Sequence, residues 1–178
     1  SAVQLKAAVD AFMKEAVSPQ SESPVAIIVP HACYIYSGQI AADGFNQVKG
    51  KTYDTVVILG ANHTTPHFGR VSVYPGDGFR TPLGVVEIDR KMRTELLAES
   101  PDCTAERYLH EKEHSIEVQV PFIQALFPGA KILPAVVGTA DGEMCKRFGL
   151  ALARVSKGKR VLIVASTDLS HYPNAEDA

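Results

Sequence analysis

Three short apolar runs in this chain are each followed, within a few positions, by a histidine. The runs are rich in valine and isoleucine and end at a proline, a glycine or a serine, which is typical of strands buried on both faces of a sheet. With their histidines they cover residues 25–31, 55–63 and 161–171, and they end at His31, His63 and His171. Because the carboxyl ends of parallel strands meet at one edge of a sheet, the pattern predicts a single histidine-lined cleft.

The rest of the chain alternates between helical and strand patterns. Apolar side chains at helical spacing predict a helix over residues 3–17, and Ser37 is in position to cap a second helix that runs toward Val48. Further elements are predicted as a helix from a cap at Asp89 through Leu97, an amphipathic stretch at 123–127, a strand at 131–137, a helix at 143–155 and an edge strand or hairpin at 71–74. This alternation predicts one α/β domain with a mainly parallel central sheet flanked by helices.

Composition narrows the classes of protein that fit. The 178 residues are 46% hydrophobic, enough for one domain with a sizeable core, and 18 basic against 20 acidic side chains give a net charge of −2. No cluster of lysine and arginine offers a track for nucleic-acid phosphates. No apolar stretch approaches the roughly 20 residues that span a bilayer, and no secretory pattern is present, so we expect no membrane partner and a cytoplasmic location. The cysteines, at positions 33, 103 and 145, form neither a disulfide framework nor a zinc pattern.

The histidines that follow the strands are candidates for a metal site, because imidazole is a common ligand for iron, zinc and copper. A lone histidine after a strand is more often a hydrogen-bonded structural group, but three in equivalent positions favour a shared function. His31 and His63 are the candidate ligands. His171 comes three residues after Asp168, which could orient its ring, so general base is the favoured role of His171. Asp168 could also bind the metal itself or cap a helix.

A second histidine pattern suggests a different chemistry. Residues 110–114 match the His-Glu-x-x-His form of zinc proteases, which requires both histidines on one face of a continuous helix. Apolar residues alternate with period two directly afterwards and Pro121 interrupts any extension, so we reject the protease interpretation. The consecutive charges at 111–113 predict a solvated loop. His114 could still face the cleft, whereas His110 and His67 are predicted to lie at the surface.

Five segments, in this order, resemble motifs of the Memo family. They are Val-Pro-His-Ala-Cys-Tyr-Ile-Tyr-Ser-Gly at 29–38, Gly-Ala-Asn-His at 60–63, Phe-Arg-Thr-Pro-Leu-Gly at 79–84, Glu-His-Ser-Ile-Glu-Val-Gln at 113–119 and Ser-Thr-Asp-Leu-Ser-His-Tyr at 166–172. The resemblance covers essentially the whole chain and implies the fold of the class III extradiol dioxygenases. Bacterial and archaeal members are known as protein B of the AmmeMemoRadiSam system, which implies AMMECR1-like and radical SAM proteins as partners.

The same resemblance implies roles for individual residues. In the dioxygenase relatives two histidines and a carboxylate hold Fe(II), and another histidine acts on substrate protons. The first two correspond to His31 and His63, the catalytic base corresponds to His171, and His114 is a further histidine of the same pocket. Fe(II) is therefore the expected metal, with copper or zinc as alternatives. The implied reaction is oxidation or ring cleavage of a small phenolic or related molecule, and the alternative is a scaffold that binds metal, ligand or protein without turnover.

Two features depart from the family pattern. Cys33 stands where Memo proteins usually have glycine, and a small buried packing residue is its expected role. Memo proteins also continue well beyond the segment 173–178, and their third metal-site residue, a cysteine in place of the dioxygenase carboxylate, falls in that further portion. We therefore expect residues 1–178 to form a single Memo-like domain that lacks the C-terminal part of the family domain and supplies two of three ligands.

Overall fold

A computed structural model of the chain, which describes residues 1–171, 174 and 176, has a central sheet with helices on both sides. In this part of the chain the α-helices are α1 (Ala2–Glu15), α2 (Tyr34–Asn46), α3 (Arg90–Glu99), α4 (Val120–Leu126) and α5 (Gly142–Ser156). The strands are β1 (Ala26–Val29), β2 (Thr55–Ala61), β3 (Val71–Val73), β4 (Gly78–Thr81), β5 (Gly84–Glu87), β6 (Cys103–Thr104), β7 (Lys131–Val137) and β8 (Val161–Ser166). A 3-10 helix covers Arg107–Leu109.

The main sheet has the strand order β1-β8-β2-β7-β3-β6, and β4 and β5 form a separate hairpin. The four strands β1, β8, β2 and β7 run parallel to one another. The strand β3 runs antiparallel to β7 and parallel to β6. The predicted α/β class with a mainly parallel sheet is therefore confirmed. The segment 71–74 was expected to be a hairpin or an edge strand, and that is wrong, because β3 has a neighbour on each side.

Alternate side chains of the central strands enter two separate cores. Val56 and Ile58 of β2 belong to a core shared with α1, α2 and α4, whereas Val57 belongs to a core shared with α3 and α5. All three side chains are fully buried. This arrangement explains why the run that forms β2 has no polar alternation, since both of its faces must be apolar.

The strand β1 differs from this pattern because it lies at the edge of the sheet. Its residues alternate between exposed and buried, and Ile28 is 68% exposed. The prediction that all three histidine-bearing runs are buried on both faces is therefore wrong for β1. A run of apolar residues does not by itself reveal whether a helix covers the second face of the strand.

Two predicted helix starts have different outcomes. The side chain of Asp89 accepts a hydrogen bond from the backbone nitrogen of Met92 at 2.9 Å, so the predicted cap of α3 is confirmed. The helix α2 begins at Tyr34 rather than after Ser37, and Cys33 occupies the capping position without a side-chain hydrogen bond. Ser37 instead lies buried in the first turn of α2, where its hydroxyl donates to the carbonyl oxygen of Ala32.

In the described part of the chain, no helix combines the length and the apolar character that crossing a bilayer requires.

Candidate metal site

The strand register brings three loops to the same edge of the sheet. Val29 of β1 and Gly60 of β2 both pair with Ser166 of β8, so these three strands end side by side. His31 comes two residues after Val29, and His63 comes three residues after Gly60. A Cβ atom at Gly60 would collide with the Ser115 hydroxyl and with Ile116, so a glycine here lets the segment that carries His114 pack against the end of β2.

His31, His63 and His114 form the centre of the candidate site. Their ring centroids lie 5.0, 5.6 and 4.6 Å apart for the pairs 31–63, 31–114 and 63–114. One ring nitrogen from each lies within 4.8 Å of the others, in a group that can hold a metal ion. His31 is only 2% exposed, whereas the side chains of His63 and His114 are 35% and 49% exposed. The group is therefore anchored on a buried ring and open to solvent on the opposite side.

A hydrogen-bond chain determines which nitrogen of His31 carries the proton. The hydroxyl of Ser166 donates its one hydrogen to the carbonyl oxygen of Ser115 at 2.5 Å, and it accepts a hydrogen bond from the side-chain nitrogen of Gln119 at 2.8 Å. Since the Ser166 hydrogen is already used, the Nδ1 atom of His31, 3.2 Å away, must be the donor to the Ser166 oxygen. The Nε2 atom of His31 then carries the lone pair, and it is buried without a hydrogen-bond partner.

Burial lowers the pKa of His31, because removal from water disfavours the charged ring. Asp168 opposes this shift, while His63 and His114 act in the same direction as burial. A lowered pKa keeps the imidazole neutral at neutral pH, which is the state that binds a metal ion.

Glu113 accepts hydrogen bonds from the ring and the backbone of His63. Glu113 was not identified from the sequence as a residue of the site. Its side chain is completely buried, and its Oε1 atom accepts the Nδ1 hydrogen of His63 at 2.9 Å. Its Oε2 atom accepts from the backbone nitrogen of His63 at 2.7 Å, and Oε1 also accepts from the backbone nitrogen of Ser115. Burial alone would raise the pKa of Glu113, but these hydrogen bonds outweigh it and hold the pKa below its ordinary value. The carboxylate is therefore ionised, and the ring of His63 presents Nε2 for binding.

The sequence pattern around Glu113 gave a wrong prediction. The consecutive charges at 111–113 predict a solvated loop, and Glu111 is indeed exposed, but Glu113 is buried. The segment 110–114 is not a continuous helix, which agrees with rejecting the protease interpretation. The two histidines of this segment have different locations, since His114 belongs to the three-histidine group and His110 does not.

Asp168 joins the loop after β8 to the loop after β1. Its Oδ1 atom accepts hydrogen bonds from the backbone nitrogens of His31 at 2.5 Å and of Ala32 at 3.1 Å. Its Oδ2 atom lies 3.8 Å from Nε2 of His31 and 3.3 Å from Nε2 of His171. Burial would raise the pKa of Asp168, but these neighbours outweigh it and lower the pKa. Asp168 thus stabilises the turn that carries His31, and it faces His171 as the sequence spacing suggested.

His171 lies beside this carboxylate rather than in the three-histidine group. Its side chain is 52% exposed, and its Nε2 atom is the atom that faces Asp168. This geometry is compatible with a ring that the carboxylate orients at the border of the cleft.

His110 was predicted to lie at the surface, and this is wrong. The residue is only 8% exposed, and its ring packs edge-on against Tyr74 with centroids 5.3 Å apart. Burial lowers its pKa to about 4. His67, by contrast, is exposed, as predicted. The charged residues 111–113 that follow His110 led to the prediction of a surface position, although the side chain of His110 itself is buried.

Cys33 was expected to be a small buried packing residue, but its thiol is exposed. It lines a cavity of about 380 Å³ together with Tyr34, Arg80, Glu117 and Pro121. The hydroxyl of Tyr34 donates to the carbonyl oxygen of Val118 at 2.6 Å, and burial together with Glu117 raises the pKa of Tyr34. The cavity therefore opens beside the turn that follows His31. The raised pKa keeps the phenol group of Tyr34, which lines the cavity, protonated.

Comparison with known proteins identifies the family to which the chain belongs. The family model described as Memo-like protein matches residues 1–177. A MEMO1 family protein of Aquifex aeolicus is 46% identical over 157 residues, which is 87% of this chain and 57% of that protein. MEMO1 family proteins of Caldivirga maquilingensis and Thermotoga maritima are each 40% identical, over 83% and 88% of this chain.

The chain spans only 53% to 57% of the length of these three relatives. The α/β fold with its mostly parallel sheet is consistent with a Memo-like fold. On the family match over 177 residues and the identity to these relatives, the chain belongs to the Memo-like protein family.

Proposed function

We propose that His31, His63 and His114 bind a transition-metal ion, Fe(II) in the first place and copper or zinc as alternatives. One observation carries this proposal. Three imidazoles each place a ring nitrogen within 4.8 Å of the others, and the Nε2 atom of His31 is buried without any hydrogen-bond partner. A buried nitrogen lone pair without a partner is costly, and a metal ion would satisfy it.

The donor set fits such an ion. Imidazole nitrogens suit iron, zinc and copper, and bonds of about 2.1 Å require neighbouring ligand nitrogens to lie roughly 3 to 3.5 Å apart. The half-exposed rings of His63 and His114 have room to make this small adjustment, while the buried ring of His31 stays in place. The partners Ser166 and Glu113 orient two of the rings from behind, which is the usual support of a metal-binding histidine.

For the reaction, we propose oxidation or ring cleavage of a small phenolic or related molecule. A bound iron ion would supply the oxygen chemistry and polarise the substrate. His171 would act as the general base, with Asp168 orienting its ring at 3.3 Å. The cavity beside Cys33 and Tyr34 would hold the apolar part of the substrate.

A second function is favoured by a specific observation on the carboxylates. Extradiol dioxygenases use two histidines and a carboxylate, yet in the described part of the chain the group contains histidines alone. Glu113 and Asp168, the nearest carboxylates, both accept hydrogen bonds from backbone nitrogens. We therefore keep as the alternative a scaffold of the AmmeMemoRadiSam system, which binds metal or ligand without turnover and acts with AMMECR1-like and radical SAM proteins.

Metal titration tests the ligand assignment. Fe(II), Zn(II) and Cu(I) are titrated anaerobically into the wild-type protein and into His31→Ala, His63→Ala and His114→Ala, with metal content measured after desalting. We expect about one ion per chain in the wild type and loss of tight binding in all three variants. His67→Asn is the control, because His67 is exposed and asparagine tolerates its φ of 62°. Equal retention by His31→Ala and the wild type would contradict the proposal.

An oxygen-uptake screen separates the two functions. The iron-loaded protein is mixed with catechol and related phenols, and oxygen consumption is followed with an electrode. Uptake that depends on the metal supports the oxidase or dioxygenase function. Intact metal binding without uptake on any phenol favours the scaffold, and binding of a purified AMMECR1-like protein would then support it directly.

A further inference from the structure

A second cavity lies between the end of β3, the strand β4 and the segment 107–117, and it shares Arg80 and Glu117 with the cavity beside Cys33. Its volume is about 270 Å³, and Tyr74 and Phe79 form one aromatic wall, in which the two rings contact each other edge-to-face with centroids 5.5 Å apart. Its charged lining residues are Arg80, Arg107, Glu111 and Glu117. This volume lies below the roughly 300 Å³ at which sites for drug-sized molecules begin, so only a small ligand fits.

His110 also lines this cavity and is more than nine-tenths buried. Both of its ring nitrogens are buried without a hydrogen-bond partner. The carbonyl oxygens of Ser72 and Val73 lie near enough to oppose the lowering of its pKa, but neither forms a hydrogen bond of ordinary geometry. A neutral imidazole offers one donor and one acceptor, so the cavity contains two unfilled polar positions.

The four charged side chains of the cavity are also unpaired. Among the described residues, none of them forms a salt bridge, whereas Arg147, Arg154 and Arg160 each pair with a carboxylate. Two guanidinium groups disfavour a ligand that is only a cation, and two carboxylates disfavour a ligand that is only an anion. Both signs of charge together suit a ligand that carries one charge of each kind.

We propose that this cavity binds a small zwitterion with an aromatic or apolar side chain, of the class of the aromatic amino acids. The carboxylate of the ligand would face the guanidinium groups, its ammonium group would face Glu111 and Glu117, and its ring would pack against the wall formed by Tyr74 and Phe79. The imidazole of His110 would supply the remaining hydrogen bond. This inference goes beyond the proposed metal site and does not depend on a bound metal.

The test uses L-phenylalanine as the probe, with calorimetric titration of the metal-free protein. Three comparison molecules each lack one feature, namely 3-phenylpropanoate without the ammonium group, 2-phenylethylamine without the carboxylate, and glycine without the ring. We expect L-phenylalanine to bind at least about three- to fivefold more tightly than each of them, as exposed ion pairs and a buried ring allow. In protein with ¹⁵N-labelled histidine, at equal subsaturating concentrations, L-phenylalanine should shift the ring resonances of His110 more than each comparison molecule does.

Variants assign the binding to this cavity. His110→Phe keeps an aromatic ring but removes both nitrogens, and we expect it to weaken binding by about tenfold. Arg107→Gln and Glu111→Gln remove exposed charges, should not disturb folding, and should each weaken binding by about three- to fivefold. Lys146→Gln and Glu15→Gln remove exposed charges elsewhere and should leave binding unchanged. The proposal is overturned if saturable binding is absent up to about 10 mM, or if Arg107→Gln and Glu111→Gln bind L-phenylalanine as the wild type does.

Discussion

His31 and His110 are both more than nine-tenths buried, at 2% and 8% exposed, yet their surroundings differ. Ser166 engages the Nδ1 atom of His31, and its Nε2 atom joins a group of three histidines. The ring of His110 has no hydrogen-bond partner and lines a cavity beside Tyr74. Burial lowers the pKa of both rings. Burial alone therefore does not distinguish the two rings, whereas the partner on Nδ1 of His31 does, because that partner decides which lone pair His31 offers to the proposed metal ion.

We expect the strongest effect, a loss of turnover, from a change of His171. This variant tests whether the site around His31 contains a general base in addition to metal ligands. His171→Ala should lower any oxygen-dependent turnover by about 10² to 10⁴, because general-base catalysis contributes about that much to the rate. Metal content should stay nearly unchanged, since His171 lies outside the three-histidine group of the described residues. Turnover and metal content are measured on the same preparation, with His63→Ala alongside. Loss of metal in both variants would make His171 a ligand.

The support of His63 by Glu113 is tested by Glu113→Gln, with Glu111→Gln as the matched control two positions away. Loss of the buried charge removes the anchor of the His63 ring and of its backbone nitrogen. Metal affinity should fall by about 10- to 100-fold, as is typical when a residue that orients a ligand is changed. Titration of Zn(II) measures this effect. Equal affinities for the two variants would show that the orientation of His63 does not depend on Glu113.

His110, the buried histidine without a hydrogen-bond partner, should make the free energy of unfolding depend on pH. The folded-state pKa of His110 is lowered to about 4, so the unfolded chain gains a proton first as the pH falls below about 6.5. The stabilisation from this histidine is therefore complete above pH 6.5 and is lost progressively as the pH falls toward 4. Between pH 7 and pH 5 the wild type should lose about 2 kcal/mol more than His110→Phe. Urea unfolding at both pH values measures this difference, and parallel losses would mean that His110 titrates normally.

We expect a weaker effect at Ser166, whose hydroxyl oxygen accepts a hydrogen bond from Nδ1 of His31. Ser166→Ala should weaken metal binding by about fivefold, because one hydrogen bond contributes about 1 kcal/mol. Ser100→Ala is the matched control, since Ser100 is also buried and its hydroxyl has no hydrogen-bond partner. Zinc titration measures the metal affinity of both variants. A larger loss of zinc affinity in Ser100→Ala than in Ser166→Ala would show that metal affinity does not depend on the hydrogen bond that orients His31.

The strands and the first two histidines were predictable because they depend on local patterns. The apolar runs before His31 and His63 do form strands whose carboxyl ends adjoin at one edge of the sheet. The cap at Asp89 was also predictable, because a side chain that bonds a backbone nitrogen three residues ahead is a local interaction. The start of α2 was not, since the turn before it is held by Asp168, which lies in the loop after β8 and more than 130 residues away in the chain.

The buried polar residues could not be predicted in the same way. Glu111 and Glu113 are chemically identical and two positions apart, yet one is solvated and the other is buried under His63. Nothing in the pattern 111–113 separates them, because the difference arises from contacts with the loop after β2.

Periodicity and motifs are properties of neighbouring residues, and they were enough to predict the α/β class, the strand-end positions of His31 and His63 and the family. The folded structure was needed to see that His114 and not His171 completes the three-histidine group, that Glu113 and Ser166 orient its rings, and that His110 lines a second cavity. Those outcomes depend on strand register and on how the segment 107–117 packs against the end of β2. Such long-range packing is a collective property of the folded chain, and no local pattern encodes it.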